Sequence, residues 1–270
     1  MTDILVRPAE ARTAFEELGV VQVSQLLSAA EVAEIRAVYT AKVEADAAFG
    51  HDDNLADDDI LRRYPRFVHP HRFTDTEVGD IARRLMFDPR IFDVVQDLIG
   101  PAYGAQSMFY FKPPSARGQA PHQDNLFLQA HPETCIAAWI AIDDCDAENG
   151  GLLVVPGSHK IQLLCPEPAD EDESFSTIQV PLPDGVELLQ TRMQAGDVLF
   201  FHGSLVHGSK PNTSTDRFRR ALIFHYIPQA SVEIATFYHP LVAANGDPVS
   251  IDASAAGGAC GVGWVNDGPH

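Results

Sequence analysis

Two textures divide the chain. Over the first hundred residues the apolar positions recur at helical spacing. In SAAEVAEIRAVYTAKVEADAAF, residues Val32, Ile35, Val38, Tyr39 and Val43 fall three or four apart, which puts them on one helix face. Ser28 and Glu31 stand ahead of them at the spacing of a capping box, where each side chain satisfies a backbone N–H of the first turn. PAEARTAFEEL (8–18) predicts a shorter helix opening at Pro8, and GVVQV (19–23) a strand behind it. Thr74 and Glu77 repeat the capping-box spacing. The amphipathic pattern that follows runs to Leu98–Ile99 and stops at Gly100–Pro101.

From residue 102 the period shortens. QSMFYFK, DNLFLQA, CIAAWIAI, GLLVVP, VELLQTRM, GDVLFFHG and RALIFHYI are short apolar or aromatic runs separated by Gly, Pro, Asn and Asp. Many short strands with turn signals and no long helix between them predict a mainly β architecture, a sandwich or barrel. The pattern is that of a single domain over 1–270. A helical layer takes up about 8–100, a β core about 102–230, and a tail 231–270 serves as irregular cover or a lid. A length of 270 residues is within reach of one all-β domain and needs no staples.

Composition narrows the partners. With 45% hydrophobic and 21% charged residues the chain is that of an ordinary globular protein. Its formal net charge of −19 repels nucleic acid and anionic membrane, and leaves a small molecule as the expected partner. Nothing in the pattern specifies an oligomeric state. Much of the acidity lies in HDDNLADDD (51–59) and EPADEDE (167–173), which predict solvated loops. Cys135, Cys145, Cys165 and Cys260 form no CxxC pair, MTDILVRPAE lacks the form of a signal peptide, and no apolar run reaches 18 residues. The expectation is a cytoplasmic protein with free thiols.

The chemistry begins in GQAPHQDNLF (118–127). His122 and Asp124 are two apart, so on a strand they project side by side, one neutral nitrogen and one anionic oxygen. Alone, such a pair is more often a structural hydrogen bond than half of a metal site. A third donor is available in AGDVLFFHGSLVHGSKPN (195–212), where His202 and His207 are five apart and face opposite ways on a regular strand. Gly203 and Ser204 leave the choice between them open. Two histidines and one carboxylate on one face of Fe(II) leave positions for a chelating cosubstrate and O2. A 2-oxo acid would also need a cation for its far carboxylate. FRRALIFHYI (218–227) offers Arg219 and Arg220, of which only one enters the barrel, and the planar guanidinium fork suits a carboxylate.

These segments, in order, resemble the phytanoyl-CoA dioxygenase family of Fe(II)/2-oxoglutarate oxygenases. The likeness lies in KPP ahead of PHQDN, then AAWIAIDDCDAENGGLLVVPGSHK, GDVLFFHGSLVHGSKPN and FRRALIFHY. It covers about residues 15–227 and is densest over 108–226. The resemblance implies a double-stranded β-helix, or jelly roll, and iron held by His122, Asp124 and His207, which are then the catalytic centre. It implies Arg219, rather than Arg217 or Arg220, as the anchor of 2-oxoglutarate. Ser209 would support the far carboxylate, with Met108, Gln123 and Trp139 lining the cosubstrate pocket. His51, His69, His71, His131, His159, His225 and His239 are taken as structural or surface groups.

The implied activity couples decarboxylation of 2-oxoglutarate to succinate with hydroxylation of a small metabolite or natural-product intermediate. Three alternatives stand beside it. A related halogenase carries a small residue in place of the carboxylate, and Asp124 opposes that. A cupin-like enzyme that does not use 2-oxoglutarate is opposed by the pairing of Arg219 with Ser209. A binding module with a vestigial site is opposed by the intact triad.

Overall fold

Side chains alternate along a strand, and the Ile136–Ala141 strand sorts the whole molecule by that rule. Ile136, Ala138 and Ile140 pack outward with Val198, Phe200, Leu222 and Phe224 against the helices. Ala137, Trp139 and Ala141 pack inward with Met108, Leu199, Phe201 and Ile223. The computed structural model describes residues 4–6, 10–46, 55–56, 58–132, 134–182, 185–186, 188–255 and 258–260.

An eight-stranded antiparallel sheet runs in the order Val20–Val23, Val198–His202, Ile136–Ala141, Ala221–Pro228, Ala102–Tyr110, Leu241–Val242, Pro248–Val249, with Phe67–Val68 also on Ala102–Tyr110. A four-stranded antiparallel sheet, Gln119–His122, His207–Ser209, Leu152–Val154 and Leu189–Gln190, supplies the second wall. Leu152 and Val154 of that wall pack with Met108, Trp139 and Ile223 of the first, so the two sheets enclose a jelly-roll interior.

The helical layer covers the outer face of the larger sheet. Ala29–Ala45 buries Val32, Ile35, Tyr39 and Val43, the periodic positions, and its Ser28–Glu31 capping box is formed. Tyr39 stacks on Phe109 with centroids 4.0 Å apart. Phe224 sits fully buried in the same layer. Truncating such a residue leaves a cavity, so Phe224→Ala should lower unfolding free energy by about 3–5 kcal/mol, read from the urea midpoint.

Several expectations need correction. The helix expected between residues 74 and 99 is two helices, Glu77–Met86 and Pro89–Ile99. Thr76, not Thr74, caps the first, and Asp88 caps the second because Pro89 cannot continue the previous turn. The first helix is described as Ala11–Leu18, with Pro8 outside the described residues. DNLFLQA is not a strand: Asn125–Leu128 is one helical turn. Tail residues Leu241–Val242 and Pro248–Val249 extend the larger sheet, so this part is structure rather than irregular cover. The acidic run 51–59 lies mostly outside the described residues.

Cys165 and Cys260 are disulfide-bonded, while Cys135 and Cys145 are free and buried. Half of the free-thiol expectation is therefore overturned, and with it part of the support for a cytoplasmic setting. The pair is separated by 95 residues, and only the tertiary fold brings it together. No described helix is long and apolar enough to cross a membrane.

Candidate metal and cosubstrate site

His122 ends the Gln119–His122 strand, and His207 opens the neighbouring His207–Ser209 strand as its direct cross-strand partner. Pairing puts the two rings side by side, 4.2 Å between centroids. His122 Nδ1 lies 2.9 Å from Ala120 O and His207 Nδ1 lies 3.0 Å from Leu205 O. Each ring thus donates Nδ1–H to a carbonyl and turns Nε2 toward Asp124.

Asp124 reaches the same point by a different route from the one its spacing suggested. Its backbone is already helical (φ −58°, ψ −33°) at the start of Asn125–Leu128. The strand ends at His122 and the chain turns, and that turn, not strand alternation, swings the carboxylate back. Asp124 Oδ1 stands 3.5 Å from His122 Nε2 and 3.4 Å from His207 Nε2. One ligand atom from each of His122, Asp124 and His207 lies within 4.8 Å of the other two, and all three residues are buried. Two imidazole nitrogens and one carboxylate oxygen converging without solvent fit a divalent first-row metal. Burial, followed by the neighbouring His207, pushes the His122 imidazole down to about 3, which keeps the ring neutral and its lone pair available.

His202, the alternative donor, points away. Its Nδ1 accepts from Ser204 N at 3.0 Å, and its ring stands beside His159 and Phe15 outside the cavity. Burial and then His159 lower it to about 4, and burial lowers His71 to about 3. In the unfolded chain both rings take up a proton near pH 6.5. Protonation then favours the unfolded state, so stability is full above that pH and is lost as pH falls from about 6.5 toward 4 for His202 and toward 3 for His71. The urea midpoint of His202→Gln should accordingly drop less than the native midpoint between pH 7 and pH 4.5. Equal drops would refute the assignment.

The three candidate arginines, in the segment just ahead of the Ala221–Pro228 strand, are separated by their partners. Arg217 pairs with Asp146 at 2.6 Å and Arg220 with Asp143 at 2.8 Å, both toward the outside. Arg219 is only 5% exposed and lines the cavity that holds His122, Asp124 and His207. Its Nε donates to Gly150 O at 3.1 Å, and its guanidinium carbon lies 5.5 Å from the Trp139 ring centroid. Among the described residues no carboxylate pairs with it. A buried guanidinium with no anion is costly.

Met108 and Trp139 line this cavity, as do Tyr110, Gln119, Leu152 and Ile223. Gln123 and Ser209 do not line it. The Gln123 amide donates to Ser204 O at 2.8 Å and accepts from Leu164 N at 2.8 Å, so both ends tie loops together. Ser209 Oγ accepts from Lys112 Nζ at 2.7 Å and from Gln119 N at 3.3 Å. Lys112 went unnoticed in the sequence. It is buried beside Arg219, also donates to Lys210 O at 2.7 Å, and is held well below the usual ammonium range by burial and then by Arg219. Gln119 also went unnoticed, and its Nε2 stands 3.2 Å from His122 Nε2. His225, taken as a structural group, places Nε2 3.1 Å from Asp124 Oδ2. Its inward position on an apolar strand was the one sequence signal available.

The family model "Phytanoyl-CoA dioxygenase (PhyH)" matches residues 15–221. "Phytanoyl-CoA dioxygenase 1" of Oryza sativa subsp. japonica is 37% identical over 129 residues, 47% of this chain and 46% of that protein. The peroxisomal phytanoyl-CoA dioxygenase of Rattus norvegicus is 34% identical over 151 residues, 51% of this chain and 43% of that protein. The chain thus spans about half the length of the relatives it matches. Among solved structures, the non-heme alpha ketoglutarate dependent carbocyclase SnoK from nogalamycin biosynthesis superposes with a TM-score of 0.66 at 24% identity, covering 83% of this chain and 85% of that one. The corresponding epimerase SnoN gives 0.64 at 23%, covering 93% and 95%. At these identities the likeness shows the fold.

Proposed function

The chain belongs to the phytanoyl-CoA dioxygenase family, and on that premise we propose that it is an Fe(II)- and 2-oxoglutarate-dependent oxygenase of a small molecule. The observation that carries the proposal is that His122, Asp124, His207 and Arg219, all buried, line one cavity. His122, Asp124 and His207 would hold the iron, which when bound supplies activation of O2 by two-electron oxidation of the 2-oxo acid to succinate and CO2.

The residues of the chain do the rest. The two Nδ1–H bonds to Ala120 and Leu205 lock the tautomers that point Nε2 inward. Arg219 binds the far carboxylate of 2-oxoglutarate through its fork, and the Gly150 carbonyl and the Trp139 face hold the guanidinium still. Lys112 lies buried beside it and ties Ser209 Oγ and Lys210 O together, while burial and the neighbouring Arg219 disfavour its own charged form. Met108, Leu152 and Ile223 exclude water from the reacting end. The helical layer and the tail strands share the larger sheet with the site, which supports a single oxygenase domain.

Hydroxylation is the outcome we favour, with a small metabolite or natural-product intermediate as substrate. The acidic balance of 38 acids to 19 bases opposes a polyanionic thioester such as an acyl-CoA. The test is a substrate screen with Fe(II) and 2-oxoglutarate that reads succinate and product mass. Substrate-dependent succinate with a product heavier by one oxygen is the expected result. Turnover that is indifferent to 2-oxoglutarate would overturn the proposal.

A further inference from the structure

We infer that His225 is a positioning residue for Asp124 and decides which carboxylate oxygen faces the metal. The inference rests on the metal-centre reading above. Along Ala221–Pro228, Leu222 and Phe224 pack outward and Ile223 inward, so His225 also faces the interior. Its cross-strand neighbours are Gln106 on one side and Ala137 on the other, and the small Ala137 leaves room for the ring. There it meets Asp124 across 101 residues of sequence.

The geometry divides the carboxylate. Oδ2 lies 3.1 Å from His225 Nε2, while Oδ1 is the oxygen that stands 3.4–3.5 Å from the nitrogens of His207 and His122. Asp124 opens the Asn125–Leu128 turn yet does not cap it with its side chain, so its own helix does not orient the carboxylate. His225 is 1% exposed and Asp124 0%, so bulk water does not compete for the bond. An Nε2–H donated to Oδ2 holds the carboxylate plane and leaves Oδ1 as a one-oxygen ligand. That bond requires a proton on His225 Nε2. Arg219 and His225 lie on the same stretch of chain, so one segment sets both the cosubstrate anchor and the ligand geometry.

The test compares Co(II) binding by the native protein, His225→Leu, which fills the volume without a donor, and His225→Gln, which restores an N–H. Outer-shell partners of this kind change metal affinity by about 10–100-fold. His225→Leu should bind Co(II) weaker by that factor with an altered d–d spectrum, and His225→Gln should recover most of both. Nitrogen-15 NMR of the metal-loaded native protein should show the His225 proton on Nε2. This measurement decides the matter even if His225→Leu fails to fold. Native-like binding and spectrum in His225→Leu, no recovery in a folded His225→Gln, or a bare Nε2 would each overturn the inference. Failure of the native protein itself to bind Co(II) would instead sink the metal-centre reading.

Discussion

Asp124→Ala should abolish metal-dependent oxidation rather than slow it. The carboxylate is the only anion among the three converging donors, and it is fully buried. Removing one member of a buried ion pair costs about 3–5 kcal/mol, roughly 150- to 5,000-fold in metal affinity. Calorimetric titration with Fe(II) under anaerobic conditions, or with Co(II) in air, measures this directly. A variant that binds metal like the native protein would remove Asp124 from the ligand set. The same position separates hydroxylase from halogenase. A carboxylate there fills the place a halide would need, so the native protein in chloride buffer should yield an oxygenated product. A chlorinated product would refute the assignment.

Arg219→Ala should strike the cosubstrate and spare the metal. The guanidinium lies in the cavity with its Nε fixed on Gly150 O and no carboxylate partner among the described residues. Truncating one member of a buried charge pair costs about 2–5 kcal/mol, because the other charge is left stranded. The 2-oxoglutarate dissociation constant should therefore rise by roughly 30- to 5,000-fold, with Co(II) affinity within a few-fold of native. Arg217→Ala and Arg220→Ala, which break outward pairs with Asp146 and Asp143, should leave 2-oxoglutarate binding nearly unchanged. Normal cosubstrate affinity in Arg219→Ala would overturn the assignment.

What the sequence determined by itself is whatever depends on neighbours a few residues away. The period of Val32, Ile35, Tyr39 and Val43 wrote a helix face, the Ser28–Glu31 spacing wrote its cap, and the short apolar run through Ile136–Ala141 wrote a strand. Adjacency in sequence predicted that only one of Arg219 and Arg220 enters the barrel, although which of them faced inward came from the family likeness. The donors His122, Asp124 and His207 were legible as residue types in motifs, and the structure brings all three together.

Tertiary structure decided everything that turns on direction. The HxD spacing suggested a strand, but the chain turns after His122, and the carboxylate arrives from a helical turn. Ser209 and Gln123 were expected in the pocket, but Lys112 and the backbone of Leu164 and Ser204 claim their polar atoms first. The Cys165–Cys260 bond and the His225–Asp124 contact join positions 95 and 101 residues apart. Local periodicity encodes which face a side chain occupies, because sterics set the period of the backbone. It does not encode which distant group waits on that face, because that depends on how two sheets and a helical layer close over one another.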